Sequence, residues 1–83
     1  MKILYFAWLR ERLNKGEEQV EPPADVKTVG DLIGWLAAND EGAALAFANP
    51  RIIRAAIDAE IVEHSALLAG AKVVALFPPM TGG

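Results

Sequence analysis

Cysteine is absent from the 83-residue chain. That excludes disulfides, thiolate metal sites and a cysteine nucleophile, and it fits a reducing, cytoplasmic setting. Histidine occurs once (His64), serine once (Ser65) and threonine twice (Thr28, Thr81). His64 and Ser65 are sequence neighbours in a segment too short to supply a third, orienting group, so they make no hydrolase triad. A lone histidine has no companion at metal-ligand spacing, so His64 reads as a loop residue and no metal site is expected. Positive charge is in the minority: 8 Lys and Arg face 11 Asp and Glu, the net charge is -3, and no basic run occurs. Nucleic acid is therefore not an expected ligand. No apolar stretch reaches the roughly 18 residues of a membrane span, and "MKILYFAWLRERL" lacks the small-residue cleavage site of a signal peptide. Side chains are thus poor candidates for chemistry in this protein.

Apolar residues are what the chain has in quantity, at 53% with a mean hydropathy of +0.24. Disorder is excluded. A chain of this length makes one domain that buries only about 60–65% of its unfolded surface. So high an apolar content in so small a core fits a face covered by a partner.

The segments alternate in type. "KILYFA" has the β-branched and aromatic composition of a strand, and "WLRERLN" that of a short helix ending near Gly16. "EEQVE", closed by Pro22 and Pro23, predicts a short strand ending at a sheet edge or in a loop. In "TVGDLIGWLA", Thr28 caps a helix and Asp31 sits where first-turn amides favour a carboxylate. Val29, Leu32, Ile33 and Leu36 share one buried face of that helix. Gly30 and Gly34 weaken it by roughly 1 kcal/mol each relative to Ala, a weakness that close packing on a sheet would explain. "GAALAFANP" fits either a second short helix or a turn before Pro50. "RIIRAAID" predicts a strand, "EIV" continues it as a hairpin, "LLAG" turns, and "KVVALF" is the last strand, stopped by Pro78 and Pro79.

In "KILYFA", Ile3 and Tyr5 point to one face and Leu4 and Phe6 to the other; "KVVALF" is likewise apolar on both. That is the pattern of central, parallel-paired strands, so the first and last strands are expected side by side in the middle of a mixed sheet. One main helix covers one face. The other is left either to the short segments and loops or to another protein.

The domain is expected over residues 1–77, with 78–83, "PPMTGG", as an extended tail. At about 3.3–3.6 Å per extended residue, Met80 to Gly83 carry the terminal carboxylate roughly 14 Å beyond Pro79. Gly82 and Gly83 lack Cβ atoms and can thread a channel too narrow for side chains. The prolines stiffen the exit and reduce the entropy lost when the tail is gripped. A carboxylate is a poor electrophile, so its use requires activation, for example as an acyl-adenylate from which sulfur or an amine displaces AMP. Alone, a Gly-Gly end also fits an inert terminus or a cloning boundary. The strand, the proline pair and the poverty in catalytic groups favour the functional reading.

Over essentially the whole chain, "KILYFAWLRE", "TVGDLIGWLA" and above all "VALFPPMTGG" resemble the family of small, sulfur-carrying subunits of molybdopterin synthase. The resemblance implies an α+β fold, the ubiquitin-like β-grasp, with the N- and C-terminal strands central and one main helix on one face. It implies that an ATP-dependent, ubiquitin-activating-like enzyme adenylates Gly83 and that a sulfur donor protein converts it to a thiocarboxylate. The large synthase subunit then moves the sulfur to cyclic pyranopterin monophosphate, in molybdenum cofactor biosynthesis. A 2+2 heterotetramer is implied, with the catalytic side chains on the large subunit and no cofactor bound to this chain. Gly82 serves passage through the channel, and Pro78, Pro79, Met80 and Thr81 position the end. Docking positions of the family match Phe6, Arg10, Ile61 and Phe77. Two turns depart from relatives: Ile57-Asp58 stands for Val-Asn, and Gly70-Ala71 for Gly-Asp. The alternatives are a thiamin-type sulfur carrier, which usually lacks the Phe-Pro-Pro run, a ubiquitin-like modifier joined to lysine through Gly83, and a binding module with an inert tail.

Overall fold

The computed structural model describes residues 1–79. The expectations for Met80, Thr81, Gly82 and Gly83 lie outside the described residues. The described chain runs β1 (Lys2–Tyr5), α1 (Trp8–Leu13), β2 (Glu17–Gln19), α2 (Val29–Asn39), α3 (Glu41–Ala46), a 3-10 turn (Pro50–Ile52), β3 (Arg54–Ile57), β4 (Glu60–Val62) and β5 (Val73–Phe77). The five strands of the described residues form one mixed sheet in the order β2-β1-β5-β3-β4. β1 and β5 pair in parallel, Ile3 opposite Val74 and Tyr5 opposite Leu76, while the other pairings are antiparallel. The two strands expected to be central are flanked on both sides, as their two apolar faces require. This is the β-grasp arrangement.

Helix α2 starts where its sequence predicts. The Asp31 amide donates to Thr28 Oγ1 at 3.1 Å, and the amides of Lys27 and Thr28 donate to Asp31 Oδ2 at 3.1 and 3.2 Å. These donors, Lys27 first, hold the Asp31 carboxyl below its ordinary pKa. Val29, Leu32, Ile33 and Leu36 are buried against Ile3, Tyr5, Val74 and Leu76 of the sheet in one core. The segment left open between helix and turn begins as α3. Asp40 caps it by accepting from the Gly42 amide at 3.1 Å, and Ala43, Ala46 and Phe47 enter the same core. Helix α1 adds Leu9 and Leu13 and ends on Asn14 in the left-handed region.

Two sequence expectations are corrected. "RIIRAAID" is not a continuous strand: Pro50, with its fixed φ, opens a 3-10 turn, and the strand begins only at Arg54. Gly30 and Gly34 do not serve close packing on the sheet. A Cβ at Gly34 meets open space, and one at Gly30 would lie 3.5 Å from the His64 carbonyl, to which the Gly30 amide donates at 2.9 Å. His64 is a loop residue that Nε2 ties down, donating to the Ile53 carbonyl at 2.6 Å. Both departing turns are well formed. Asp58 and Ala59 carry positive φ between β3 and β4, and Gly70, at φ 81°, turns the chain so that the Ala71 amide reaches the Leu68 carbonyl at 2.9 Å.

Candidate functional site

Every helix of the described residues contributes its buried side chains to one core, on the Ile3, Tyr5, Val74 and Leu76 side of the sheet. The question left open by the sequence therefore has an answer: the short segments do not cover the second face. Register places Leu4, Ala75, Ala56 and Ile61 in one row across four strands of that face. Beside this row, Phe77 pairs with Arg54, and the Phe6 amide extends the ladder to the Leu76 carbonyl at 3.2 Å. Phe6 is 47% exposed and Ile61 68%. Complete burial of such a side chain by a partner is worth about 1.5–3 kcal/mol, so each of these exposed residues offers a substantial part of that. The rim is polar, with Arg54 at the Phe77 end of the sheet and Asp58 and the Lys2–Glu17 ion pair, at 3.0 Å, toward the Val73 end. An apolar centre inside a polar rim is the anatomy of a protein interface.

Phe6 divides two hollows on this side of the molecule. One, about 400 Å³, is lined by Leu4, Phe6, Ala56, Asp58, Ala59, Val73 and Ala75. The other, about 450 Å³, lies between the β1–α1 junction and the end of β5 and is lined by Phe6, Trp8, Ile52, Phe77, Pro78 and Pro79. Pro78 is buried and Pro79 exposed. The root of the predicted tail thus starts inside the second hollow, next to the uncovered face.

Of the predicted docking residues, the structure brings Phe6 and Phe77 together with Pro78 and Pro79, and sets Ile61 on the same face at its far edge strand. Arg10 stands apart. Its guanidinium folds over Gly16, where a Cβ would meet Nη1 at 2.6 Å, and it lines a separate, polar hollow with Glu11, Asn14 and Lys15. Sequence reasoning missed Trp8 and Ile52 as walls of the tail root. Ile52 falls in a run whose composition predicts a strand, and the signal against that is Pro50 two residues earlier. Leu4 joins Phe6 on this face as alternation predicts, and Ala56 and Ala75 complete the row beside it.

One buried polar group supports the scaffold. The Tyr5 hydroxyl donates to Glu18 Oε2, and Lys15 Nζ donates to Glu18 Oε1 at 3.1 Å. Burial, followed by the hydrogen bond to Glu18, pushes the Tyr5 phenol well above its ordinary pKa. This network ties the end of β1 to β2 directly before Phe6. Among the described residues, no group of three or more His, Asp or Glu side chains is placed to hold a metal.

Comparison with known proteins supplies the relatives. The model of the ThiS family matches residues 3–83. The molybdopterin synthase sulfur carrier subunit of Escherichia coli (strain K12) is 36% identical over 83 residues, covering 100% of this chain and 99% of the relative. Among solved structures, SAMP1 from Haloferax volcanii superposes with a TM-score of 0.72 at 26% identity, covering 100% of this chain and 98% of that one. A putative molybdopterin converting factor, subunit 1, from Pyrococcus furiosus gives 0.73 at 26% identity over 95% of both chains.

Proposed function

The chain belongs to the ThiS family, and from that premise we propose that it is the sulfur carrier subunit of a molybdopterin synthase, with the carboxylate of Gly83 as its reactive group. The observation that carries this reading is the sequence run Phe77-Pro78-Pro79-Met80-Thr81-Gly82-Gly83, whose described part, Phe77 to Pro79, ends a central strand at the edge of a sheet face that no element of the described chain covers. The 36% identity to the Escherichia coli carrier subunit over its full length supports it.

The Gly83 carboxylate attacks the α-phosphorus of ATP on an adenylating enzyme, pyrophosphate leaves, and an acyl-adenylate results. A donor protein then delivers sulfur at the sulfide level to the acyl carbon, AMP leaves with the bonding pair, and the chain ends in a thiocarboxylate. On the large subunit that sulfur passes to cyclic pyranopterin monophosphate, and the carboxylate is restored. This chain's own residues bind and aim. Phe6, Ile61 and Phe77 offer the apolar contact, Pro78 and Pro79 set the exit, Met80 and Thr81 give reach, and Gly82 passes the channel. The catalytic side chains belong to the large subunit, in a 2+2 assembly.

Mass spectrometry tests the reading. Incubation with an adenylating enzyme of this class, ATP and a sulfur source should add the mass of one oxygen-to-sulfur exchange, localised to Gly83. One extra residue beyond Gly83 should abolish it, because the reacting group is displaced by a residue length. An unmodified Gly83, or isopeptide conjugates to lysine as the only product, would overturn it.

A further inference from the structure

We infer that Trp8 is a positioning residue for the tail: its indole packs on the proline pair and fixes the direction in which the chain leaves the domain. The starting point is the backbone before it. Ala7 stands at φ 55°, ψ -136°, a setting that residues with a Cβ avoid and that glycine adopts readily. Such a conformation persists only where the surroundings over-determine it, and it recurs where geometry serves function. Here it reverses the chain between two aromatic residues. Phe6 is left on the uncovered sheet face, and Trp8 is turned to the hollow it shares with Ile52, Phe77, Pro78 and Pro79.

Trp8 is also held. It is partly buried against the core, and the guanidinium carbon of Arg12, one helical turn on, lies 5.1 Å from its ring centroid. A guanidinium at that distance is attracted to the electron-rich face of the indole. A large ring that is partly buried against the core and held on one face has few rotamers left. Pro78, buried, and Pro79, exposed, line the same hollow as Trp8 and are the last described residues of the chain. Proline has a rigid ring and a fixed φ, so packing it against a second rigid ring costs little further entropy. Loss of the contact leaves the domain folded but its exit loosely directed. A partner enzyme must then order that exit when it grips the tail.

For its kinetic consequence this depends on the carrier reading above; for the contact itself it does not, so two measurements separate them. In the unaltered protein, NMR should give nuclear Overhauser contacts between the Trp8 indole protons and ring protons of Pro78 or Pro79. Trp8→Ala should move those proline resonances back toward the values of an unstructured proline. Absence of the contacts, or proline shifts indifferent to Trp8→Ala, would overturn the inference even if Gly83 is loaded normally. In the loading assay, Trp8→Ala should lower kcat/KM about three- to tenfold, Arg12→Gln about twofold, and Trp8→Phe should restore most of the loss. Circular dichroism should show that each variant is folded at the assay temperature. Loading of folded Trp8→Ala at the unaltered kcat/KM would equally overturn it. Failure of the unaltered chain to load would sink the carrier reading and leave the contact to be judged by the NMR result.

Discussion

Replacing Ala59 by glycine should stabilise the protein. Asp58 and Ala59 join β3 to β4 with φ of 47° and 75°, and a two-residue hairpin loop with both φ positive is the type I′ turn, in which Asp-Gly is among the favoured pairs. Aspartate tolerates the left-handed region through local hydrogen bonds, but the Cβ of alanine crowds the backbone there at a cost of about 1–2 kcal/mol. Ala59→Gly removes that strain and gives back about 0.4–1 kcal/mol, because the unfolded chain becomes freer. The net gain is about 1 kcal/mol, which in a domain of this size raises Tm by about 4–8 °C. Asp58→Gly should move the other way although it also puts glycine at a positive φ. The Asp58 carboxylate accepts from the Val73 amide at 2.9 Å and the Lys72 amide at 3.2 Å, pinning the hairpin to the start of β5. Hydrogen bonds to a charged acceptor are worth about 1.5–3 kcal/mol each, and solvent exposure at this turn puts them at or below the lower end. That loss exceeds the relief of a strain aspartate scarcely feels. Thermal and urea unfolding followed by circular dichroism would measure both variants, with unchanged m-values certifying that the unfolded state is comparable. A neutral or destabilising Ala59→Gly, or an Asp58→Gly with raised Tm, would refute the reasoning.

Two further stability tests bear on the scaffold. Tyr5→Phe removes a buried hydroxyl donor and should cost about 1 kcal/mol at neutral pH. It should also change the alkaline limb. With the folded phenol raised above its ordinary pKa by burial and by Glu18, stability is intact below the unfolded value near 10 and falls as pH rises beyond it. Urea unfolding from about pH 8 to about pH 11 should show that decline in the natural chain and a flatter profile in the variant; parallel profiles would contradict the assignment. Gly34→Ala, in the middle of α2 with open space where its Cβ would sit, should stabilise by about 0.8–1 kcal/mol. A loss of stability in thermal unfolding would mean that the position has a packing role.

The architecture was legible wherever a residue's local preference and its tertiary use coincide. The alternation in "KILYFA" and "KVVALF" already showed two apolar faces, and the sheet order makes those strands central. The Thr28–Asp31 cap and the stripe from Val29 to Leu36 gave α2. Legibility failed where two physical causes produce the same letters. Ile52 and Ile53 belong to a β-branched run that suits a strand, yet one lies exposed in a 3-10 turn and the other is buried in the loop leading to β3. Periodicity cannot separate a buried loop residue from a strand residue over so short a span. The chemistry proposed for the tail rests on residue types alone, because glycine and proline act through the backbone. The wall around the tail root was not legible. It brings Trp8, Ile52 and Phe77 together from three elements far apart in sequence, and in Trp8 only a helix residue could be seen.

Among the described residues, the helices cover one face of the five-stranded sheet and leave the other open. Three short helices fill one side, and their buried residues all enter a single core. What remains on the other side is a liability in isolation and a recognition surface in an assembly. The geometry makes that remainder useful, because Phe6 lines both the hollow on the sheet face and the hollow at the tail root. A partner that buries the face therefore reaches the exit of the chain in the same movement. On the proposed carrier reading, binding energy gathered on Phe6 and Ile61, far from the reacting carboxylate, serves to position the tail. On that reading catalysis falls to the partner, and the chain contributes binding and aim. It needs a rigid strand, a directed exit and a face that is incomplete without its partner.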